Sequence, residues 1–128
     1  MAFGGNGMII RSLDKVIGSA HDVTGPGWNS RRLLTAPDGM GYTMTDTVIF
    51  AGAEMTLEYK SHLEACYCIS GRGEIEDLAT GVVHPITPGV IYALNAHDRH
   101  TLRAFDEMRL VCTFTPALTG EEVHGKGY

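Results

Sequence analysis

The sequence predicts an all-β fold, a double-sheet jelly-roll barrel, and three observations lead there. Short runs alternate in side-chain character: from Tyr42 to Phe50, Thr43, Thr45 and Thr47 share one face while Tyr42, Met44 and Val48 share the other. Turn residues cut the chain at close, even intervals, at Ala51-Gly52, Gly71-Arg72-Gly73, Ala79-Thr80-Gly81 and Pro88-Gly89. No segment keeps a helical period beyond a few turns, and there is no internal repeat. Many short strands in one small domain must close on themselves or stack as two sheets, because open edges invite aggregation.

In chain order, Met1 to Gly7 holds three glycines and one asparagine without pattern and is expected to be a loose tail ahead of a single domain spanning 8–128. Met8 to Ser12 reads as a short edge strand, Asp14 to Ser19 as one helical turn, and His21 to Ser30 as a loop around Gly25-Pro26-Gly27. After Tyr42 to Phe50, strands are expected at about 55–60, 64–70, 73–77, 82–87, 89–94, 99–104 and 108–114. The stretch after Pro116 carries no periodicity.

Composition excludes several function classes. With 128 residues and 44% hydrophobic content, the chain can bury a core without disulfide staples. A net charge of −5, with basic residues scattered apart from Arg31-Arg32, argues against nucleic-acid binding, which needs clustered Lys and Arg. No apolar run reaches membrane-spanning length, and the first residues lack the layout of a secretory signal. Cys66, Cys68 and Cys112 are an odd set with one C-x-C pair and no second zinc-ribbon pair. They read as small buried apolar side chains in a cytoplasmic protein.

The glycine spacing resembles that of the cupins, jelly-roll barrels marked by two glycine-bounded strand pairs. Gly52, Glu58, Lys60, Glu64 and Gly71 stand at the marked positions of the first motif, and Gly89, Asn95, His97, His100 and Ala104 at those of the second. Glu64 and His100 keep the ligand types of that pattern, whereas Glu58 and Lys60 replace its paired histidines and His97 and Ala104 are not placed as ligands. A three-histidine-plus-glutamate metal site is therefore not expected. Glu58 and Lys60 suit an ion pair or a solvated edge, since a protonated lysine is a poor ligand.

The replacement pattern resembles the ectoine synthase family. It is carried by His62-Leu63-Glu64-Ala65, by Gly71 to Gly81 with Ile75-Glu76-Asp77-Leu78-Ala79-Thr80, and by Tyr92-Ala93-Leu94 followed by His97-Asp98-Arg99-His100. Asp38-Gly39-Met40-Gly41 upstream and Leu118-Thr119-Gly120, Glu122-Val123-His124 downstream extend it. Ser61 and Thr115-Pro116-Ala117 depart from the family's usual Asn and Asn-Pro-Pro.

The resemblance implies iron(II) held by Glu64, Tyr92 and His100. The residues themselves are compatible with it: alternation can turn Tyr92 and His100 inward on adjacent strands, and an O/O/N set suits a borderline first-row metal. Softness alone does not separate iron from manganese, cobalt or zinc. The resemblance further implies a small amino-acid-derived substrate, N4-acetyl-L-2,4-diaminobutyrate, cyclised with loss of water to ectoine, a compatible solute made under osmotic stress. It also implies a homodimer. Its substrate-contacting positions map to Trp28, Arg32, Thr47, Tyr59, Phe114, Glu122 and His124. Arg32 suits a carboxylate clamp and Trp28 and Phe114 suit pocket walls. Thr47 and Tyr59 suit polar contacts, Glu122, His124 and Tyr59 are the candidates for catalysis, and Glu122 with His124 suits proton transfer. His62 is a candidate support for Glu64, whereas His21, His84 and His97 read as surface or turn residues. Competing readings are a related acylated diamine as substrate, or a non-catalytic cupin binding a small ligand.

Overall fold

The structure, a computed structural model, describes residues 7–119. Residues 1–6 of the expected tail over 1–7, and the candidates Glu122 and His124, lie outside the described residues. Within them the alternating runs become strands because each has one face that can be buried and one that can meet water. β1 (Asp22–Gly25), β2 (Trp28–Leu34), β3 (Thr43–Ile49), β5 (Leu63–Ser70), β8 (Ile91–Leu94) and β10 (Met108–Thr115) form one antiparallel sheet in the order β1-β2-β3-β10-β5-β8. β4 (Glu54–Leu57), β6 (Gly73–Asp77), β7 (Val82–Ile86) and β9 (His100–Ala104) form the second, in the order β4-β9-β6-β7. The core between them is one continuous cluster that draws on both sheets, including Trp28, Ile49, Cys66, Leu110 and Phe114 from the first and Ile75, Ile86 and Leu102 from the second.

The expected double-sheet all-β architecture is present, with two local corrections. His21 to Ser30 is a hairpin rather than a loop: Gly25 pairs with Trp28, so Pro26-Gly27 is a two-residue turn with Gly27 at φ +86°. Its strands were hidden by polar content, because Asp22, Thr24, Asn29 and Arg31 give no apolar alternation. Met8 to Ser12 forms no strand. Arg11 is instead anchored by its side chain, donating to Asp38 at 2.6 and 2.8 Å and to the Leu33 carbonyl at 2.7 Å. A single turn, α1 (Leu13–Val16), follows where a helical turn was expected.

On β3 the threonine face, Thr43, Thr45 and Thr47 with Ile49, is the buried one. The opposite face buries one charge, Asp46, and does so with partners. Arg31 on β2 and Arg109 on β10 both donate to its carboxylate. Burial pushes the Asp46 carboxyl up, but the hydrogen bonds from Arg109 and Arg31 outweigh it and hold the group below the usual range. That pairing fixes β2, β3 and β10 side by side, the strands that carry Arg32, Thr47 and Cys112 inward.

Candidate metal and substrate site

Strand register builds the site row by row. Arg32 on β2 pairs with Thr45 on β3, Thr45 with Cys112 on β10, Cys112 with Cys66 on β5, and Cys66 with Tyr92 on β8. Directly opposed residues in an antiparallel sheet point to the same face. These five side chains therefore form one transverse row on the inner face. The neighbouring row holds Thr43, Phe114, Glu64 and Leu94. Glu64, Tyr92, Cys66, Cys112, Thr47 and Tyr59 line one interior cavity together with His100 from the facing sheet. The cavity is about 20 Å³, enough for one water molecule or one ion.

Burial dominates the electrostatics. Glu64 is only 7% exposed, and burial, partly offset by a hydrogen bond involving Cys66, pushes its carboxyl up from 4.5 to about 7. Burial also pushes the Tyr92 phenol well above its ordinary value, with the negative charge Cys66, Glu64 and Cys112 can carry adding to the effect. His100 is pushed the other way, because burial disfavours the imidazolium. Its Nδ1 donates to the Asp98 carbonyl at 2.9 Å, which leaves Nε2 as the nitrogen with a lone pair. A carboxyl, a phenol and a neutral imidazole thus meet one ion-sized space, and burial disfavours a charge on each of them. A bound cation would reverse that balance for the carboxyl and the phenol. The donor set fits a borderline first-row divalent metal.

The remaining sequence-derived residues fall around this centre. Tyr59 lies just beyond β4, yet it is buried, because His97 in the β8–β9 turn donates from Nδ1 to its carbonyl at 2.8 Å. His97, an exposed residue between β8 and β9 as expected, takes a left-handed φ of 55° and also tethers the Tyr59 backbone. The Tyr59 ring stands edge-on to Phe114 at 5.4 Å and tilted to His100 at 6.1 Å. His62 donates to the Pro116 carbonyl at 2.7 Å and meets Phe114 edge-on, so it braces the pocket wall. Arg32 is fully buried on the inner face and donates from Nε to Ser30 Oγ at 3.1 Å. Trp28 lies four residues earlier on the same face of β2, its indole packed over Gly25 at the hairpin end. Lys60 is exposed, as expected.

Cys66 and Cys112 were missed as site residues. All three cysteines are buried and free, as expected. Counting by twos from Glu64 would have placed Cys66 on the same face. Nothing local in the sequence brings Cys112 beside it.

A groove of about 510 Å³ opens between the free edges of β7 and β8, reaching Tyr92 and His100 from a rim that includes Asp77, His84, Asn95 and Asp98. A second hollow of about 490 Å³ runs over Met44, Ala65, Ala93 and Thr113 and reaches Glu64 and Phe114.

This architecture, two antiparallel sheets with polar groups gathered between them, is that of a cupin. The fold matches an RmlC-like cupin from Shewanella frigidimarina with a TM-score of 0.62 at 21% identity, over 75% of this chain and 82% of that one. The particular family follows from closer matches. The model of the ectoine synthase family matches residues 8–127. The L-ectoine synthase of Desulfosudis oleivorans is 56% identical over 118 residues, 91% of this chain and 92% of that protein. That of Halalkalibacterium halodurans is 51% identical over 91% of each. The crystal structure of ectoine synthase from P. lautus superposes with a TM-score of 0.86 at 50% identity, covering 88% of this chain and 81% of that one. The chain belongs to the ectoine synthase family, and is accordingly an enzyme of the carbon–oxygen lyase class.

Proposed function

We propose that this chain closes a six-membered ring in N4-acetyl-L-2,4-diaminobutyrate, with iron(II) held by Glu64, Tyr92 and His100. The observation that supports this reading is that Glu64, Tyr92 and His100, from three strands of two sheets, all line one ion-sized cavity. In the reaction the substrate's α-amine nitrogen bonds to the acetamide carbon, and the amide oxygen departs as water, leaving the cyclic amidine ectoine. When bound, the metal supplies a Lewis acid that polarises the carbonyl, a role that other first-row divalent ions also support.

The chain's own residues supply the remainder. Arg32 binds the substrate carboxylate through its planar fork, and being buried it holds that end away from water. Trp28 and Phe114 wall the pocket, and Thr47 and Tyr59 orient polar groups. Folding the two ends of the substrate against each other contributes up to about 7–11 kcal/mol in favourable cases, and this pocket of packed aromatic side chains is suited to it. The α-amine must be neutral and the departing oxygen protonated, so proton transfer is needed. Glu122 and His124, with Tyr59 inside the described residues, are the candidates for it. The single domain over 8–128 acts as a homodimer in the cytoplasm, making a compatible solute under osmotic stress. No described helix is long and apolar enough to cross a membrane.

The direct test is metal analysis with product detection on the purified chain supplied with the acetylated diamine. The expected result is ectoine formation that is lost with the metal and restored by iron(II). Ectoine formed at an undiminished rate by the metal-free chain, or none formed by the iron-loaded chain, overturns the reading. Arg32→Ala is expected to lower kcat/KM by about a hundredfold, the loss of a charge-assisted contact of about 2–3 kcal/mol. Its iron content should stay that of the parent chain. Unchanged kinetics remove Arg32 from the pocket.

A further inference from the structure

Two buried thiols take no part in the chemistry above. Cys66 on β5 and Cys112 on β10 are directly opposed in the ladder, and both line the interior cavity. Their sulfur atoms and a Glu64 carboxylate oxygen all lie within 4.8 Å of one another. The three residues are buried, and both cysteines are free. Tyr92 adds a hydrogen bond at Cys66. Cys68 belongs to another environment, with its thiol donating to the Ser70 carbonyl at 3.4 Å.

A four-coordinate zinc-class ion holds sulfur at about 2.3 Å and oxygen at about 2.0–2.2 Å, so its donors sit roughly 3.3–3.8 Å apart. Donors already within 4.8 Å of one another reach that spacing by small side-chain rotations. Two thiols and a carboxylate form a softer set than carboxylate, phenol and imidazole, and thiolate donors favour zinc- and cadmium-class ions, whereas the O/O/N set does not discriminate among first-row metals. The two sets have one member in common, and the cavity has room for a single ion.

We propose that Cys66, Cys112 and Glu64 form a second, soft-metal site that takes a zinc- or cadmium-class divalent ion and excludes iron(II) by competing for Glu64. On binding, each thiol gives its proton to solvent as a sulfur–metal bond forms, and no electron is transferred. The site borrows Glu64 from the proposed iron set but does not depend on iron being held by Tyr92 and His100.

The test is an anaerobic titration of the reduced, metal-free full chain with cadmium(II) alone, following the ultraviolet sulfur-to-cadmium charge-transfer band. The parent chain and Cys68→Ser are expected to show the band saturating at one ion per chain. Cys66→Ser and Cys112→Ser should each lose about half the band and bind cadmium about tenfold or more weakly. Cys66→Ala and Cys112→Ala should do the same, which guards against an effect of the buried hydroxyl. Iron(II) added first should suppress the band. Absence of the band in the parent chain, its full retention in the Cys66 and Cys112 variants, or its loss in Cys68→Ser overturns the proposal. His100→Ala separates the two sites: it should lose iron and keep the cadmium band. A His100→Ala chain that retains iron sinks the iron set and leaves the thiol site standing.

Discussion

Glu64→Gln is expected to abolish iron retention and ring closure and, at the same time, to make the metal-free chain more stable at about pH 8. The first effect follows from removing the only carboxylate of the proposed ligand set. The second follows from the buried carboxyl, which in the folded chain is raised from 4.5 to about 7. The folded state therefore holds a proton that the unfolded state has already released over that window. Stability is highest below 4.5 and falls as pH rises through about 7. Above the window, the buried negative charge costs on the order of 3 kcal/mol. Glutamine keeps the shape and removes the charge. The metal-free variant should therefore gain about 3 kcal/mol over the metal-free parent at about pH 8, and match it near pH 4. Iron(II) should reverse the ranking, since it stabilises the parent by mass action and has no carboxylate to bind in the variant. Denaturant melts at two pH values, with and without iron, read all of this. A variant that keeps iron and turns over sinks the proposed metal site, and one that is less stable than the metal-free parent at about pH 8 sinks the buried-charge account.

This pairing of stability with function shows which parts of the protein a reader of the sequence can reach. The strands from β3 to β10 were legible because they are short runs cut by glycine, proline or acidic turns, and β3 adds a period of two. The threonines of β3 are the clearest case, since their shared face proved to be the buried one. The β1–β2 hairpin was not legible. Its polar residues are partnered by specific contacts, such as Arg31 with Asp46 and Asn29 with Asp22, that leave no apolar rhythm. Met8 to Ser12 opens on three apolar residues but has no ladder partner among the described residues. Alternation makes a strand possible, and pairing decides whether it forms.

The same division holds at the site. Glu64 and His100 stood out through glycine spacing, and Tyr92 through resemblance. That all three line one cavity could be expected from alternation on strands of two facing sheets. Cys112 could not be placed, because β10 inserts between β3 and β5, strands far from it in the chain. That insertion, absent from any local pattern, sets Cys112 opposite Cys66. His97 is the exposed turn residue that was expected, and its tether adds to that for a related reason. Its role lies in a hydrogen bond to the Tyr59 backbone, 38 positions away.

Gly71→Ala is expected to be the most damaging single methyl in the chain. Gly71 joins β5, which carries Glu64 and Cys66, to β6 of the other sheet, and it sits at φ +83°. A side chain there pays a backbone penalty of about 1 kcal/mol. The larger effect is steric. A Cβ would lie 2.1 Å from the Glu107 carbonyl oxygen and 2.7 Å from the Met108 Cα. Both neighbours are backbone, so no rotamer change relieves the clash. The β9–β10 turn would have to move, and it is held in place by Phe105 and Asp106, which donate to the Arg72 carbonyl at 2.9 and 3.1 Å. The expected loss is about 4 kcal/mol or more, a large share of a domain's stability, or roughly 15 °C in Tm. Gly81→Ala is the control, with a similar φ of +74° but open space around its Cβ. It should cost only about 1 kcal/mol. Thermal melts of both variants beside the parent separate the two causes. A Gly71→Ala chain that melts within a few degrees of Gly81→Ala would mean that the turn yields, and that close backbone approach is not what joins the two sheets here.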